Sequence, residues 1–148
     1  KEYAIDRDLT DVYSDGVDIY EGSKLLGRIT DQDGLNAETS YRSHFFGMGM
    51  GYHQTQVFKG PDLKSLVLPY FDELAGYWMR HGLVCMSGID GYRAVFSFGE
   101  LFNRADGIEP LLAVVPDKGG HFRAFLPSDF FADRSVKSLK EMFFFSGL

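Results

Sequence analysis

GLVCMSGIDGYRAVFSFGELF, Gly82 to Phe102, changes periodicity three times within a short span. Leu83 to Ser87 is a run of apolar and small residues of the length and character of a buried strand. Gly88-Ile89-Asp90-Gly91 carries the residues that tight turns use, and Tyr92 to Phe96 reads as the next strand. Ser97-Phe98-Gly99-Glu100 then has the spacing of a capping box. The serine hydroxyl takes an orphan backbone N–H of the first turn and the glutamate reaches back to the cap, which starts a short helix through Phe102. A strand pair running into a capped helix points to an α+β fold.

Downstream, Leu111 to Val115 and His121 to Leu126 read as strands joined by a Pro116-Asp117-Lys118-Gly119-Gly120 turn, and Met142 to Phe145 as a closing strand. Upstream, Val17 to Tyr20 and Lys24 to Ile29 flank Glu21-Gly22-Ser23 as a hairpin. Phe45 to Gly51, FFGMGMG, places glycine at every second position, which strips one face of side chains and admits a backbone or ligand. Tyr52 to Phe58 alternates like a strand. Gly60-Pro61-Asp62 opens a helix with the apolar stripe Leu63, Leu66 and Val67, which Pro69 ends or kinks. Tyr70 to Gly76 forms a second turn or short helix. No repeat or low-complexity linker interrupts the chain. It reads as one domain over 1–148, with a polar N-terminal hairpin and turns over 1–45 and the main region over 46–148.

The 148 residues are 45% hydrophobic, with 14 Phe and 8 Tyr, enough for a core that needs no metal or disulfide staple. A net charge of −6 and a pI near 5.1 repel phosphate backbones and argue against nucleic acid or an anionic membrane as the main partner. The single cysteine, Cys85, excludes an internal disulfide and a zinc site of the usual cysteine-ligated kind. No apolar run reaches the roughly 18 residues of a membrane span. The chain begins at Lys1, which is consistent either with a removed leader or with a trimmed sequence.

Motifs of catalysis are scarce. Asp31-Gln32-Asp33-Gly34 resembles the start of a calcium loop, but Arg42 stands where the bidentate glutamate belongs, so it reads as a polar turn. His44, Met48, Met50 and His53 carry donors that copper(I) or haem iron accepts, but the preferred reading is a glycine–methionine ribbon packed under aromatic rings. His81 and His121 are isolated from any nucleophile motif. Asp6, Asp8, Asp72 and Glu73 fall on polar segments and read as solvated faces. Trp78 is read as a core anchor, with a pocket wall as the other assignment. Cys85, inside Leu83-Val84-Cys85-Met86, reads as a small buried hydrophobe.

From Phe58 onward the order of short motifs is more specific than any one of them. Gly60-x-x-Leu63 is followed by Asp90-Gly91-Tyr92, Ser97-x-x-Glu100-Leu101 and Leu111-Leu112-Ala113. Then come Phe122-Arg123-x-x-x-Pro127 and Arg134-x-Val136-Lys137-x-Leu139. This series resembles the oxidoreductase molybdopterin-binding domain of the sulfite-oxidase type. The resemblance implies a mixed, multi-layer β-sheet domain with few short helices, and a molybdopterin cofactor. It also implies a molybdenum-ligating cysteine ahead of the Gly-x-x-Leu helix. Phe46 to Val57 holds no cysteine, only Met48 near the expected place, and a neutral thioether does not replace a thiolate on a high-valent oxo-metal. By the same resemblance Arg123, Arg134 and Lys137 stand at positions that contact pterin or phosphate, while Gly47 and Gly49 allow close backbone approach. Bacterial members of the family working outside the cytoplasm imply a periplasmic or otherwise exported location.

The expectation is therefore a non-catalytic module, with a cleft between the glycine-rich ribbon and the basic C-terminal block, that binds a small anionic ligand or a protein partner. The alternative is a molybdopterin-dependent oxidoreductase whose metal has a non-cysteine protein ligand or none. A copper or haem site at the ribbon is a third reading. Under the first, exchange of Arg134 and Lys137 for alanine weakens binding of phosphate-bearing ligands and leaves the melting temperature almost unchanged.

Overall fold

Val17 and Ile19 are fully buried while Asp18 and Tyr20 between and beyond them are half-exposed, the period of two that makes β1 (Gly16–Glu21) a one-sided strand. The computed structural model describes residues 5, 14–30, 39–47, 51–71, 75–114 and 122–146. Gly22, at φ +58°, turns β1 into the antiparallel β2 (Lys24–Thr30), the hairpin expected from the sequence. The other neighbour of β1 comes from the far end of the chain. It pairs in parallel with β9 (Leu139–Ser146), which pairs on its second side with β5 (Gly82–Gly88), and β5 pairs with β6 (Arg93–Ser97). The result is a five-stranded mixed sheet in the order β2-β1-β9-β5-β6.

One face of this sheet carries Val17, Ile19, Ile29, Val84, Met86, Phe96, Met142 and Phe144 into the main core. Helices cover that core: α1 (Leu63–Val67), α2 (Ala75–His81) and α3 (Phe98–Phe102) contribute Leu63, Val67, Trp78, Phe98, Leu101 and Phe102. Asp62 caps α1 by accepting the Ser65 N–H at 2.8 Å, and a 3-10 turn over Leu68–Tyr70 follows at Pro69. In α3 both halves of the capping box form, Glu100 N–H to Ser97 Oγ at 3.1 Å and Ser97 N–H to Glu100 Oε2 at 3.2 Å. Helix α2 extends well past Gly76, where the sequence reading ended. Its apolar content is too sparse to register as a stripe: Trp78 fills the space between Phe71, Phe98 and Phe144, and Met79 packs beside it half-buried. Trp78 is fully buried, a core residue rather than a pocket wall.

A second, smaller core lies beyond a two-stranded layer. β7 (Leu111–Val114) and β8 (Phe122–Phe125) are buried on both faces. Leu112, Phe122 and Ala124 face the main core, whereas Leu111, Ala113 and Phe125 face the second core with Phe45 and Phe58. The opposite wall of that second core is the hairpin β3 (Ser40–Gly47) and β4 (Gly51–Lys59). The fold is thus α+β, sheet-rich and layered, with few short helices. Position 45 lies inside β3, and β1 and β2 belong to the same sheet as β9, so the N-terminal hairpin is part of the main structure. The Asp31 turn, the Pro116–Gly120 turn, and residues 6, 8, 72, 73 and 121 lie outside the described residues.

After α3 the chain is pinned by Arg104, whose Nε and Nη2 bond Asp106 Oδ1 and Oδ2 at 3.0 and 2.6 Å. The guanidinium, aided by the Ile108 N–H, holds the Asp106 carboxyl down at about 2. A depressed carboxyl contributes its stabilisation above the ordinary carboxylate range and loses it as pH falls through about 2. A carboxyl-carbon NMR titration is expected to place the Asp106 midpoint near 2, and Arg104→Ala to return it toward 4.

Candidate functional site

The strand β8 reads Phe122-Arg123-Ala124-Phe125, and its alternation puts the one cation, Arg123, on the side of the second core. Arg123 is only 8% exposed. Its guanidinium lies 4.6 Å from the Phe45 ring centre and 5.6 Å from that of Phe58, two cation–π contacts from neighbouring rings. Nε donates to Ser135 Oγ at 2.8 Å, and the Ser135 hydroxyl donates onward to the Ala124 carbonyl at 2.6 Å. Among the described residues that hydroxyl is its one polar partner, and no carboxylate pairs with it. Burial drags the guanidinium down to about 10, and no negative charge among the described residues compensates it.

In front of this buried charge a small cleft opens between the β3–β4 ribbon and the C-terminal block. Ser43, His44 and Phe45 form one wall; Phe125, Leu126, Asp129, Phe130, Phe131, Ala132 and Ser135 form the rest. Two of the groups that touch the Arg123 guanidinium, Phe45 and Ser135, line it directly. The opening admits roughly one water-sized group. Its rim is aromatic. Phe130 stacks on Phe46 at 5.2 Å, Phe131 meets Phe130 edge-on at 4.8 Å, and Tyr52 lies against Phe46 at 5.2 Å. His44 Nδ1 and the Tyr52 hydroxyl each lie 2.8 Å from Thr55 Oγ1, which fixes that side of the ribbon.

The short motifs of the sequence meet around the same block. Asp90 Oδ1 accepts the Tyr92 N–H at 3.0 Å, and the Tyr92 hydroxyl donates to the Asp133 carbonyl. Burial, with help from Asp133 and Asp90, pushes the Tyr92 phenol up, so it stays a donor. The Ala124 N–H donates to the Val136 carbonyl at 3.1 Å. Arg134 lies over Phe96 at 4.8 Å and binds Asp129 with two nitrogens, at 2.9 and 2.8 Å. A third Arg134 nitrogen reaches Glu100, the glutamate that also caps α3.

The three cations named from the sequence are therefore not one cluster. Arg134 faces β6 and α3 and is neutralised by Asp129 and Glu100, whose hydrogen bonds raise its pKa. Arg123 faces the second core. Lys137 is exposed and forms no ion pair among the described residues. Gly47 ends β3 opposite Gly51, half-buried; Gly49, Met48, Met50 and the His53 side chain lie outside the described residues. Arg123 was named by its place in the motif series, alternation on β8 separates it from Arg134 and Lys137, and Ser135 and the Phe130–Phe131 rim carried no motif at all. Because Arg134 ties three segments together, Arg134→Ala is expected to lower stability by about 1–2 kcal/mol. Urea denaturation measures this, and the ion pairs to Asp129 and Glu100 are the reason to expect a larger loss than the almost unchanged melting temperature read from the sequence.

Cys85 sits on the face of the five-stranded sheet that points away from the main core, in register with Phe143 and Val95. Burial pushes its thiol up, so the sulfur keeps its proton, the opposite of what a thiolate ligand requires. The sheet and the main core separate it from the cleft. A cysteine-ligated molybdenum does not fit this sulfur. Among the described residues no three His, Cys, Asp or Glu side chains are grouped to hold a metal. Compared with known protein families and with curated proteins, the chain matches none.

Proposed function

We propose that the chain is a non-catalytic binding module, akin in fold to the sulfite-oxidase-type molybdopterin-binding domain, that takes a small anion between the β3–β4 ribbon and the C-terminal block. An exported location accords with that reading. The observation that carries it is the Arg123 guanidinium, buried behind the cleft wall without a counter-charge among the described residues. Its depressed pKa corresponds to roughly 3 kcal/mol of unfavourable charge burial. The two ring contacts offset about 1–2 kcal/mol of that. An anion in the cleft supplies the missing charge, and this explains why a cation is kept at a core position where a neutral side chain is less costly.

The sign of the effect is specific. For a base held below its usual value the cost is full at neutral pH and is relieved only as pH rises past about 10. Arg123→Met, similar in length and without charge, is expected to match or exceed the wild-type stability by about 1 kcal/mol in chloride buffer. Acetate is expected to raise the melting temperature of the wild type and leave that of Arg123→Met unchanged. Equal acetate response in both proteins removes Arg123 from the site. Metal analysis of protein made in a molybdenum-competent host tests the alternative. Stoichiometric molybdenum with pterin fluorescence assigns the chain to the molybdopterin-dependent oxidoreductases, with the metal seated without Cys85.

A further inference from the structure

The rim of the cleft is built differently from its floor. Phe130 is 68% exposed and Phe131 45%, a large aromatic surface for water to cover, and both stand at the mouth rather than scattered over the molecule. Phe130 is held flat against Phe46, with 13° between the ring planes, so its outer face is a fixed platform. The cleft holds roughly one water-sized group and is lined by Ser135 and the Phe45 ring, both of which touch the Arg123 guanidinium. To so small a space a planar carboxylate presents less bulk than a tetrahedral phosphate does. The Asp129 carboxylate also lines the cleft, and its two oxygens are engaged by Arg134, which blunts its repulsion of an incoming anion.

Resting on the anion-cleft reading above, we infer that the ligand class is an aryl carboxylate: a carboxylate directed at Arg123, joined by a short link to an aromatic ring that stacks on Phe130. The buried charge fixes the head and the exposed platform selects the body. Neither feature alone specifies the class. A guanidinium accepts any anion, and an aromatic rim accepts any flat apolar group; their adjacency at one small cleft selects molecules that carry both.

The test uses the full chain and three probes: 3-phenylpropionate, propionate and inorganic phosphate, followed by amide chemical shifts in titration. The expected order is 3-phenylpropionate tighter than propionate by about tenfold, the contribution of one stacked ring, with phosphate weakest. Phe130→Ala, at an exposed position, keeps the fold and is expected to bring 3-phenylpropionate to within about twofold of propionate. Arg123→Met is expected to weaken both carboxylates by about tenfold or more. If the two carboxylates bind alike, or phosphate binds tightest, the aryl-carboxylate assignment is overturned and the anion cleft stands. If none of the three probes shifts any resonance near Ser43, Phe45 or Ser135, both are overturned.

Discussion

Gly60→Ala is expected to remove at least about 3 kcal/mol of stability, enough to leave a marginal domain largely unfolded at physiological temperature. A Cβ on residue 60 would lie 1.9 Å from the Leu112 carbonyl oxygen, 2.7 Å from its carbon and 2.8 Å from the Ala113 Cα. All three are backbone atoms of β7, so no side-chain rotation relieves the overlap. The surrounding bonds prevent retreat: the Gly60 N–H donates to the Thr39 carbonyl at 3.2 Å, and the Leu112 N–H donates to the Pro61 carbonyl at 2.9 Å. Either β7 shifts, disturbing Leu111 and Leu112 on both cores, or the end of β4 lifts and opens the second core. Urea denaturation with an unchanged m-value measures the loss directly. A cost below about 1 kcal/mol means that β4 and β7 do not approach this closely. Since Arg123 sits between β8 and the same ribbon, anion binding is expected to fall with stability in this variant, unlike in Arg123→Met.

Trp78→Ala is expected to cost about 3–5 kcal/mol, while Trp78→Phe costs only about 1 kcal/mol. The indole is fully buried, 4.8 Å from Phe71 and 5.7 Å from Phe98 between ring centres, and nothing of similar size can collapse into its place. Gly82, where a Cβ would lie 2.7 Å from the Trp78 ring and carbonyl, shows how closely the chain is drawn around it. Its Nε1–H finds no acceptor among the described residues, so phenylalanine gives up volume but also sheds an unsatisfied donor. Circular dichroism melts of the two variants separate these contributions. A large loss with phenylalanine implies that the indole N–H has a partner after all.

What was legible in advance was local. The Ser97–Glu100 capping box depends on hydrogen bonds within a single turn, and it formed as its spacing required. Asp90-Gly91-Tyr92 made a turn because an aspartate oxygen reaches the N–H two residues on and Gly91 accepts φ +87°. The β1–β2 hairpin needed only its own alternation and Gly22. Helix α2 escaped because two adjacent residues, Trp78 and Met79, do its packing against the main core. Arg123, Arg134 and Lys137, close together in the motif series, looked like one basic site. Their separation depends on which face of a strand or turn each occupies relative to elements far away in sequence.

From residues 82–102 and the periodicity around them, the chain by itself determined its class, its strand pairs joined by short turns and its capped helix, because those depend on neighbours a few positions apart. Tertiary structure alone decided that β9 inserts between β1 and β5, that β7–β8 is buried on two faces, and that Arg123 faces a second core with no carboxylate among its described residues. The reason is that burial and charge compensation are properties of what arrives from elsewhere in the chain. A guanidinium is an ordinary surface cation until Phe45, Phe58 and Ser135 close around it.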